Sequence, residues 1–460
     1  MFNDKVAVLP FLSKLDAHMK EILHRASIAF VLKVAAAGLT FAFNVVLARL
    51  LGPHGAGLYF QVFTVATIAA VVGRLGLPNT LVRFTAGNAA VGEWGSVKGV
   101  YAKGVRFGLC GSLATAAGMF FLAPWLADSV FSSPELVAPI RWMSVAVVPF
   151  SVSFLYAQLL KGLRQIAGAI SVESVSIPAF CLLGTILLVP GWGVRGAIWA
   201  YAGASAICLL IGWWLWRRAA PQLRGIEGHF AARELLRSSG PLLWMSILQL
   251  ITHWSSTLML AMWRSSADVG VFSVANRTAA LTSFVLIAVN SIAAPKFAAL
   301  YRKGDLTALG QTARNSAKLM SIMACPALLV FMLAPGQVMS IFGPQFEGGK
   351  WTLSIMAAGQ FVNVVTGSVG YLLMMCGHEQ LIMKVTALSA FMNIVSNAAL
   401  IPELGVTGAA IADATTFGLQ NLIMAWFVWR RLGIWTLPFF GIGGKPQRTS
   451  ISEAGEEPLP

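Results

Sequence analysis

Two stretches 212 residues apart, Pro190-Gly-Trp-Gly-Val-Arg-Gly-Ala197 and Pro402-Glu-Leu-Gly-Val-Thr-Gly-Ala409, are near copies of each other. Each opens a long apolar segment that closes on Trp-Arg-Arg, at Trp216 to Arg218 and at Trp429 to Arg431. The echo continues upstream, where Gly57-Leu-Tyr59 matches Gly270-Val-Phe272 at an offset of 213, and Gly162 with Gln165 matches Gly377 with Gln380 at 215. A chain that repeats itself once at half-length, in apolar elements throughout, is built as two equal bundles of the kind membrane transporters use.

Composition supports a lipid solvent. Hydrophobic residues are 57% of the 460, and charged residues only 11%, against about 25% charged in soluble domains. The runs 107–127, 196–216, 319–346 and 385–402 carry no charge at all. A helix rising 1.5 Å per residue needs about 20 such residues to cross the hydrocarbon. The pattern predicts spans at 26–50, 56–76, 104–126, 136–160, 168–189, 194–216, 239–262, 270–294, 315–342, 351–376, 380–401 and 406–430. The expected fold is therefore an all-α polytopic membrane protein, with about twelve transmembrane helices in two pseudo-symmetric six-helix bundles around a central cavity. The expected divisions are an N-terminal segment 1–25, bundles at 26–218 and 239–431, a linker 219–238, and a disordered tail 432–460 rich in Gly, Pro, Ser and Glu. The linker is arginine-rich, and its stretch Phe230–Arg237 is expected to lie as a helix on the inner leaflet.

Of the 33 Lys and Arg residues, 26 fall in the N-terminal tail and every second loop. Four (Arg49, Arg195, Arg264, Lys350) fall in loops of the other parity, and Lys33, Arg141 and Arg277 within spans. That asymmetry puts both termini in the cytoplasm. The net charge of +15 then reports topology and attraction to an anionic inner leaflet, and implies membrane lipids rather than nucleic acid as partner. The five cysteines all lie inside spans without metal spacing, and read as small apolar fillers.

No enzyme signature stands out: there is no P-loop, no HExxH, no GxSxG and no cluster of metal ligands. The longest outer loops, 127–135 and 343–350, are too short for a catalytic domain, so no metal or cofactor is expected. What stands out is polar residues where lipid forbids them. Lys33, Thr40 and Asn44, at i, i+7 and i+11, lie within about 20° of one helix face. Their counterparts at the 213 offset are Ser246, His253 and Thr257, with Gln249 on the same face. The eighth span carries Ser273, Asn276, Arg277, Ser283 and Asn290, and the second offers Gln61, Thr64 and Thr67. Facing one another, these stripes line a hydrated cavity, because a bare cation in hydrocarbon is costly. Snorkelling is the competing role for Lys33, a bond to Asp268 or backbone for Arg277, and an interior hydrogen-bonded ring for His253. Arg141 stands one turn inside the outer interface, between cavity and structural roles. Two acids are also intramembrane. Glu173 is expected to pair with Arg164 or Lys161, and Asp413 shares a stripe with Thr416 and Gln420; either is a candidate for ion coupling. Cations outnumber anions around the cavity, which points to an anionic cargo.

The chain resembles the oligosaccharide flippase (polysaccharide transporter) family of the multidrug/oligosaccharidyl-lipid/polysaccharide exporter superfamily. The marks are Ala48-Arg-Leu-Leu-Gly-Pro53 followed by Gly57-Leu-Tyr59, Gly270-Val-Phe-Ser-Val-Ala-Asn-Arg277, Ala294-Pro-Lys296 running to Tyr301, and Leu400-Ile-Pro402 running into Gly405-Val-Thr-Gly-Ala409. The resemblance covers roughly residues 26–431. It implies two bundles related by a pseudo-twofold, and as cargo an oligosaccharide repeat unit on undecaprenyl pyrophosphate, flipped across a bacterial inner membrane for O-antigen, capsule or exopolysaccharide assembly, with polysaccharide polymerase machinery downstream. On that reading Lys33 and Arg277 neutralise pyrophosphate, while Thr40, Asn44, Gln249, His253 and Asn276 bond sugar hydroxyls and Arg49 fixes a helix end at the outer mouth. The alternative within the superfamily is a cation-coupled multidrug or small-molecule exporter, which relies on intramembrane acids that are sparse here.

Overall fold

A computed structural model describes residues 17–437; the expected N-terminal segment and tail lie largely outside the described residues. Among the described residues every regular element is a helix. The first, α1 (Ala17–Gly73), is two helices joined at Gly52, whose φ of 67° is left-handed, with Pro53 opening the second limb. The helix α7 (Ser176–Ala219) breaks at Gly193 (φ 53°, ψ −135°), and α15 (Glu379–Leu432) breaks at Gly405 (φ 57°, ψ −130°). The two repeated motifs are thus the same turn, built twice.

Between these hairpins run α2 (Leu77–Ala90), α3 (Trp94–Phe121), the short α4 (Ala123–Trp125), α5 (Val137–Gly162) and α6 (Ile166–Ile170). The second half holds α8 (Ala232–Trp263), α9 (Ser266–Ala279), α10 (Ser283–Arg302), α11 (Leu306–Leu333), α12 (Pro335–Ser340), α13 (Lys350–Thr366) and α14 (Val369–Met375). Seven helical segments are long and apolar enough to cross a membrane, and a bent pair, Pro344–Thr366 with Val369–Met375, makes up to eight. Three of the seven are 46, 54 and 54 residues long, or about 70–80 Å, more than twice the hydrocarbon thickness. Each is therefore two spans. With α8, too polar to be in the apolar set, the count reaches twelve. Where α1 turns on Gly52, the second half turns between α8 and α9 on a capping box, in which Ser265 accepts from the Asp268 backbone and Asp268 accepts from that of Ser265.

The apolar core is divided unevenly. One large cluster takes residues from both halves around the interhelical turns, including Leu47, Tyr59, Phe60, Leu260, Phe272 and Phe346. At the opposite end each half has its own core, one from Leu77 to Leu235 and one from Ala293 to Ile434. The halves are fused at the turn end and have separate cores at the linker end, bridged there by the start of α8 against Gly76 and Arg83, with a cleft between those cores.

Two expectations are corrected here. Residues 77–90 form a helix rather than a loop, because Leu77, Leu81 and Thr85 bury one face against the first half. The expected separate helix at 230–237 is instead the start of α8, and the linker before it packs on the first half. Phe230 packs edge-on to Phe84 with ring centroids 5.0 Å apart, Lys98 Nζ donates to the Ile226 carbonyl at 2.5 Å, and Lys103 Nζ donates to that of Phe230. Residue 232 already begins the long α8, whose Leu235 sits in the first half's core.

Candidate functional site: a cationic cavity between the halves

At the open end of the fused core lies a cavity of about 320 Å³. The first limb of α1 supplies Lys33, Ala37 and Thr40, the second Tyr59 and Phe63; α9 and α10 supply Arg277, Phe284 and Ile287; and Glu173 and Tyr201 close the first-half side. A smaller space of about 150 Å³ shares Thr40 and Arg277 and adds Asn44. Lys33 and Arg277, one cation from each half, therefore share one cavity, as the polar stripes predict.

Arg277 is held by aromatics. Its guanidinium carbon lies 4.6 Å from the ring centre of Phe60 and 5.2 Å from that of Phe63. Ring quadrupoles attract a cation without neutralising it. Among the described residues no carboxylate is paired with Arg277 or Lys33, and Asp268, the neighbour considered for Arg277, is used up in its capping box. Glu173 does face the cavity, but forms an ion pair with Lys161. It sits on a π-helical turn, Ser171–Val175, an irregularity frequent where a side chain is re-aimed. The balance of unpaired charge is positive. The Tyr59 hydroxyl and Asn44 Oδ1 are buried, line these spaces and have no protein partner. Buried polar atoms of that kind are normally satisfied, so they present hydrogen-bonding capacity to whatever fills the cavity.

The other expected residues are more scattered. Gln249 and His253 are exposed on one face of α8 and do not line either space, although Trp254 beside them packs on Phe63 at 6.0 Å. Asn276 is half-buried next to Arg277 and also outside the lining. Arg141 is corrected: it stacks on Phe120 of α3 at 5.2 Å, away from the cavity, with Nε buried and unpartnered. Arg49 does meet a helix end. Its Nε donates at 2.7 Å to the carbonyl of Ile341, the residue that caps the end of α12, so the helix end it holds belongs to the other half.

Asp413 lies apart from the cavity, in a polar cluster between α8 and both limbs of α15. It accepts from Ser256 Oγ and, at 2.9 Å, from Asn393 Nδ2. Asn397 Nδ2 donates to Ser256 Oγ at 2.8 Å, and Ser255 Oγ to Asn393 Oδ1 at 2.5 Å. Sequence reasoning missed the two asparagines, whose i, i+4 spacing inside an apolar run was the available signal. It also missed Arg74, counted with the loop cations. This arginine is buried, stacked on Phe154 at 4.1 Å and on Phe150 at 4.7 Å. Its apolar flanks, 65–72 and 75–82, were the clue.

Fold and cavity together define a multi-pass helical membrane protein of two pseudo-symmetric bundles around a shared cavity. The family described as "Polysaccharide biosynthesis protein" matches residues 22–300, more than half of the chain, and the MatE family matches residues 241–399. The chain belongs to the polysaccharide biosynthesis protein family. It is 26% identical over 330 residues to the "Succinoglycan biosynthesis transport protein ExoT" of Rhizobium meliloti, covering 71% of this chain and 63% of that one. It is 21% identical over 288 residues to the "Probable low-salt glycan biosynthesis flippase Agl15" of Haloferax volcanii, covering 62% and 60%. The matched stretches thus span less than two thirds of either relative. In fold it is similar to an inward-facing multidrug resistance MATE family transporter of the MOP superfamily (TM-score 0.71, 16% identity, 90% and 98% covered). It is equally similar to lipid II flippase MurJ in an inward closed conformation (TM-score 0.71, 11% identity, 86% and 87% covered).

Proposed function

We propose that the protein is a flippase for a lipid-linked glycan, moving an oligosaccharide repeat unit carried on undecaprenyl pyrophosphate from the inner to the outer leaflet of a bacterial cytoplasmic membrane, with both termini cytoplasmic. The observation that carries this reading is the shared cavity, to which one half contributes Lys33 and the other Arg277, with Glu173 already neutralised by Lys161. Two unpaired cations on opposite walls suit a diphosphate. The names of the ExoT and Agl15 relatives agree with a glycan cargo.

Lys33 and Arg277 neutralise the pyrophosphate; Thr40, Asn44 and Tyr59 bond it or the first sugar, and Gln249, His253 and Asn276 meet the glycan further along the cleft. The polyprenyl tail stays in the bilayer, beside Phe284 and the exposed Ile287 at the cavity's edge. Rocking of the halves about the central cavity, opening the turn end as the linker-side cleft closes, alternates access, and the delivered repeat unit passes to polymerase machinery. An inside-negative potential of about 100 mV favours outward movement of each negative charge by about 2.3 kcal/mol, so a doubly charged head group gains roughly 4–5 kcal/mol. Asp413, in its Ser256–Asn393 cluster, is the place where a coupled proton or cation would act if the potential alone does not drive the cycle.

The test is the double variant Lys33→Ala/Arg277→Ala. Loss of surface polysaccharide, with normal membrane insertion and accumulation of the lipid-linked unit on the inner leaflet, is the expected result; undiminished polysaccharide overturns the proposal. The second reading, a cation-coupled exporter, draws on Asp413 and on the MatE match over the second half. It requires that Asp413→Asn abolish export of hydrophobic cations.

A further inference from the structure

A second basic cavity, of about 380 Å³, lies at the linker end of the first half. Lys98 of α3, Arg217 at the end of α7 and Arg224 of the linker surround it, over a floor of Tyr101 and Trp216 whose rings are 5.1 Å apart. Among the described residues none of the three cations is paired with a carboxylate. Three cations from three separate segments around one space repel one another unless an anion joins them. We propose that this cavity binds the phosphate diester head group of an anionic membrane lipid, and that the bound lipid fastens the linker to the first half.

The surroundings favour a lipid over a free anion. Arg217 stacks on Trp213 at 4.2 Å, and the exposed face of α7 leading away from the cavity is Ile207, Leu210, Trp213 and Trp214. Indole rings at a helix end mark the interfacial layer, so a phosphate among the cations leaves its acyl chains to run along that apolar face. Basic pockets between helices on the cytoplasmic side are suited to acidic head groups. The fastening follows from position. The linker already seats Leu223 in the first half's core, with Ile226 and Phe230 packed against it, and holds its backbone on Lys98. An anion shared by Lys98, Arg217 and Arg224 adds a charge-assisted tie at the same point, just before α8 departs for the other half. The cleft then opens elsewhere, on the side of Lys33 and Ile287.

The experiment uses the purified full chain in detergent, with thermal unfolding followed while phosphatidylglycerol, phosphatidylcholine or inorganic phosphate is added. The comparison is wild type against Arg217→Gln/Arg224→Gln, which leaves the Lys98–Ile226 bond in place, and against Arg218→Gln, which removes a nearby cation outside the cavity. Phosphatidylglycerol is expected to stabilise the wild type and the Arg218→Gln variant alike. The double variant should need about 30-fold more of it, two cations near a lipid surface contributing about 1 kcal/mol each. An equal response of the double variant, or protection by inorganic phosphate with no advantage of phosphatidylglycerol over phosphatidylcholine, overturns the lipid site.

Discussion

Gly57 and Gly270 lie back to back across the junction of the two halves. A Cβ on Gly57 would fall 1.6 Å from the Ser266 carbonyl oxygen, and one on Gly270 would fall 2.1 Å from that of Pro53. The relation is reciprocal, for Pro53 and Ser266 are themselves 213 residues apart. This is the geometry a pseudo-twofold produces where two helices cross on their own axis of symmetry. The contact is between backbones, so no side chain at either position can be absorbed by a rotamer change.

Alanine at either glycine should therefore prevent the closed turn end from forming. Overpacking of a tight contact costs about 1–3 kcal/mol, and here the neighbour is a carbonyl with nowhere to go. Spin labels placed on either side of the turn end should report a longer distance in Gly57→Ala and Gly270→Ala than in the wild type. Unchanged distances would show that the contact does not govern closure.

Arg49 and Ile341 form a second tie across the same end, supported by the edge-on pair Phe41 and Phe342 at 5.6 Å. A hydrogen bond from a charged donor contributes about 1.5–3 kcal/mol. Removing it by Arg49→Ala should shift the closed-to-open ratio about ten- to a hundredfold towards an open turn end. The readout is the distance between spin labels on either side of the turn end, which should lengthen.

Arg277→Lys should not restore what Arg277→Ala removes. The guanidinium is planar and lies on Phe60 and Phe63, whereas an ammonium is a compact charge that stacks poorly. Phe60→Leu, which keeps volume but loses the ring, should weaken the site by about 0.5–2 kcal/mol. Transport of a lipid-linked glycan in proteoliposomes distinguishes these; full activity in Arg277→Lys would reduce the role of Arg277 to its charge alone.

Asp413→Asn preserves shape and one carbonyl acceptor for Ser256 and Asn393, so thermal stability should change little. Ser256→Ala instead removes a hydroxyl that Asp413 and Asn397 both use, and should cost about 1–3 kcal/mol of stability. If Asp413 couples an ion, the asparagine variant loses the dependence of transport on sodium or proton gradients while remaining folded. A transport rate that never depended on those gradients leaves the membrane potential as the drive.

Much of this architecture was legible in the chain before folding. Long apolar runs marked most of the spans, because crossing the hydrocarbon favours apolar helices. The matched motifs at Gly193 and Gly405 marked two identical turns, because a left-handed backbone between helices leaves few choices but glycine. The stripe Lys33, Thr40 and Asn44 fixed one face of one helix, and that face does meet the cavity. Periodicity says which residues share a face, but not which neighbour covers it. Hence Arg141 and Arg277, both intramembrane arginines on apolar spans, could not be told apart until packing put one on Phe120 and the other in the cavity. Arg74, the Asn393–Asp413 cluster and the seating of the linker on α3 were decided by the tertiary structure in the same way. Helix formation in lipid is dictated residue by residue through the backbone's need for hydrogen bonds, whereas the environment of each polar side chain is a property of several helices at once.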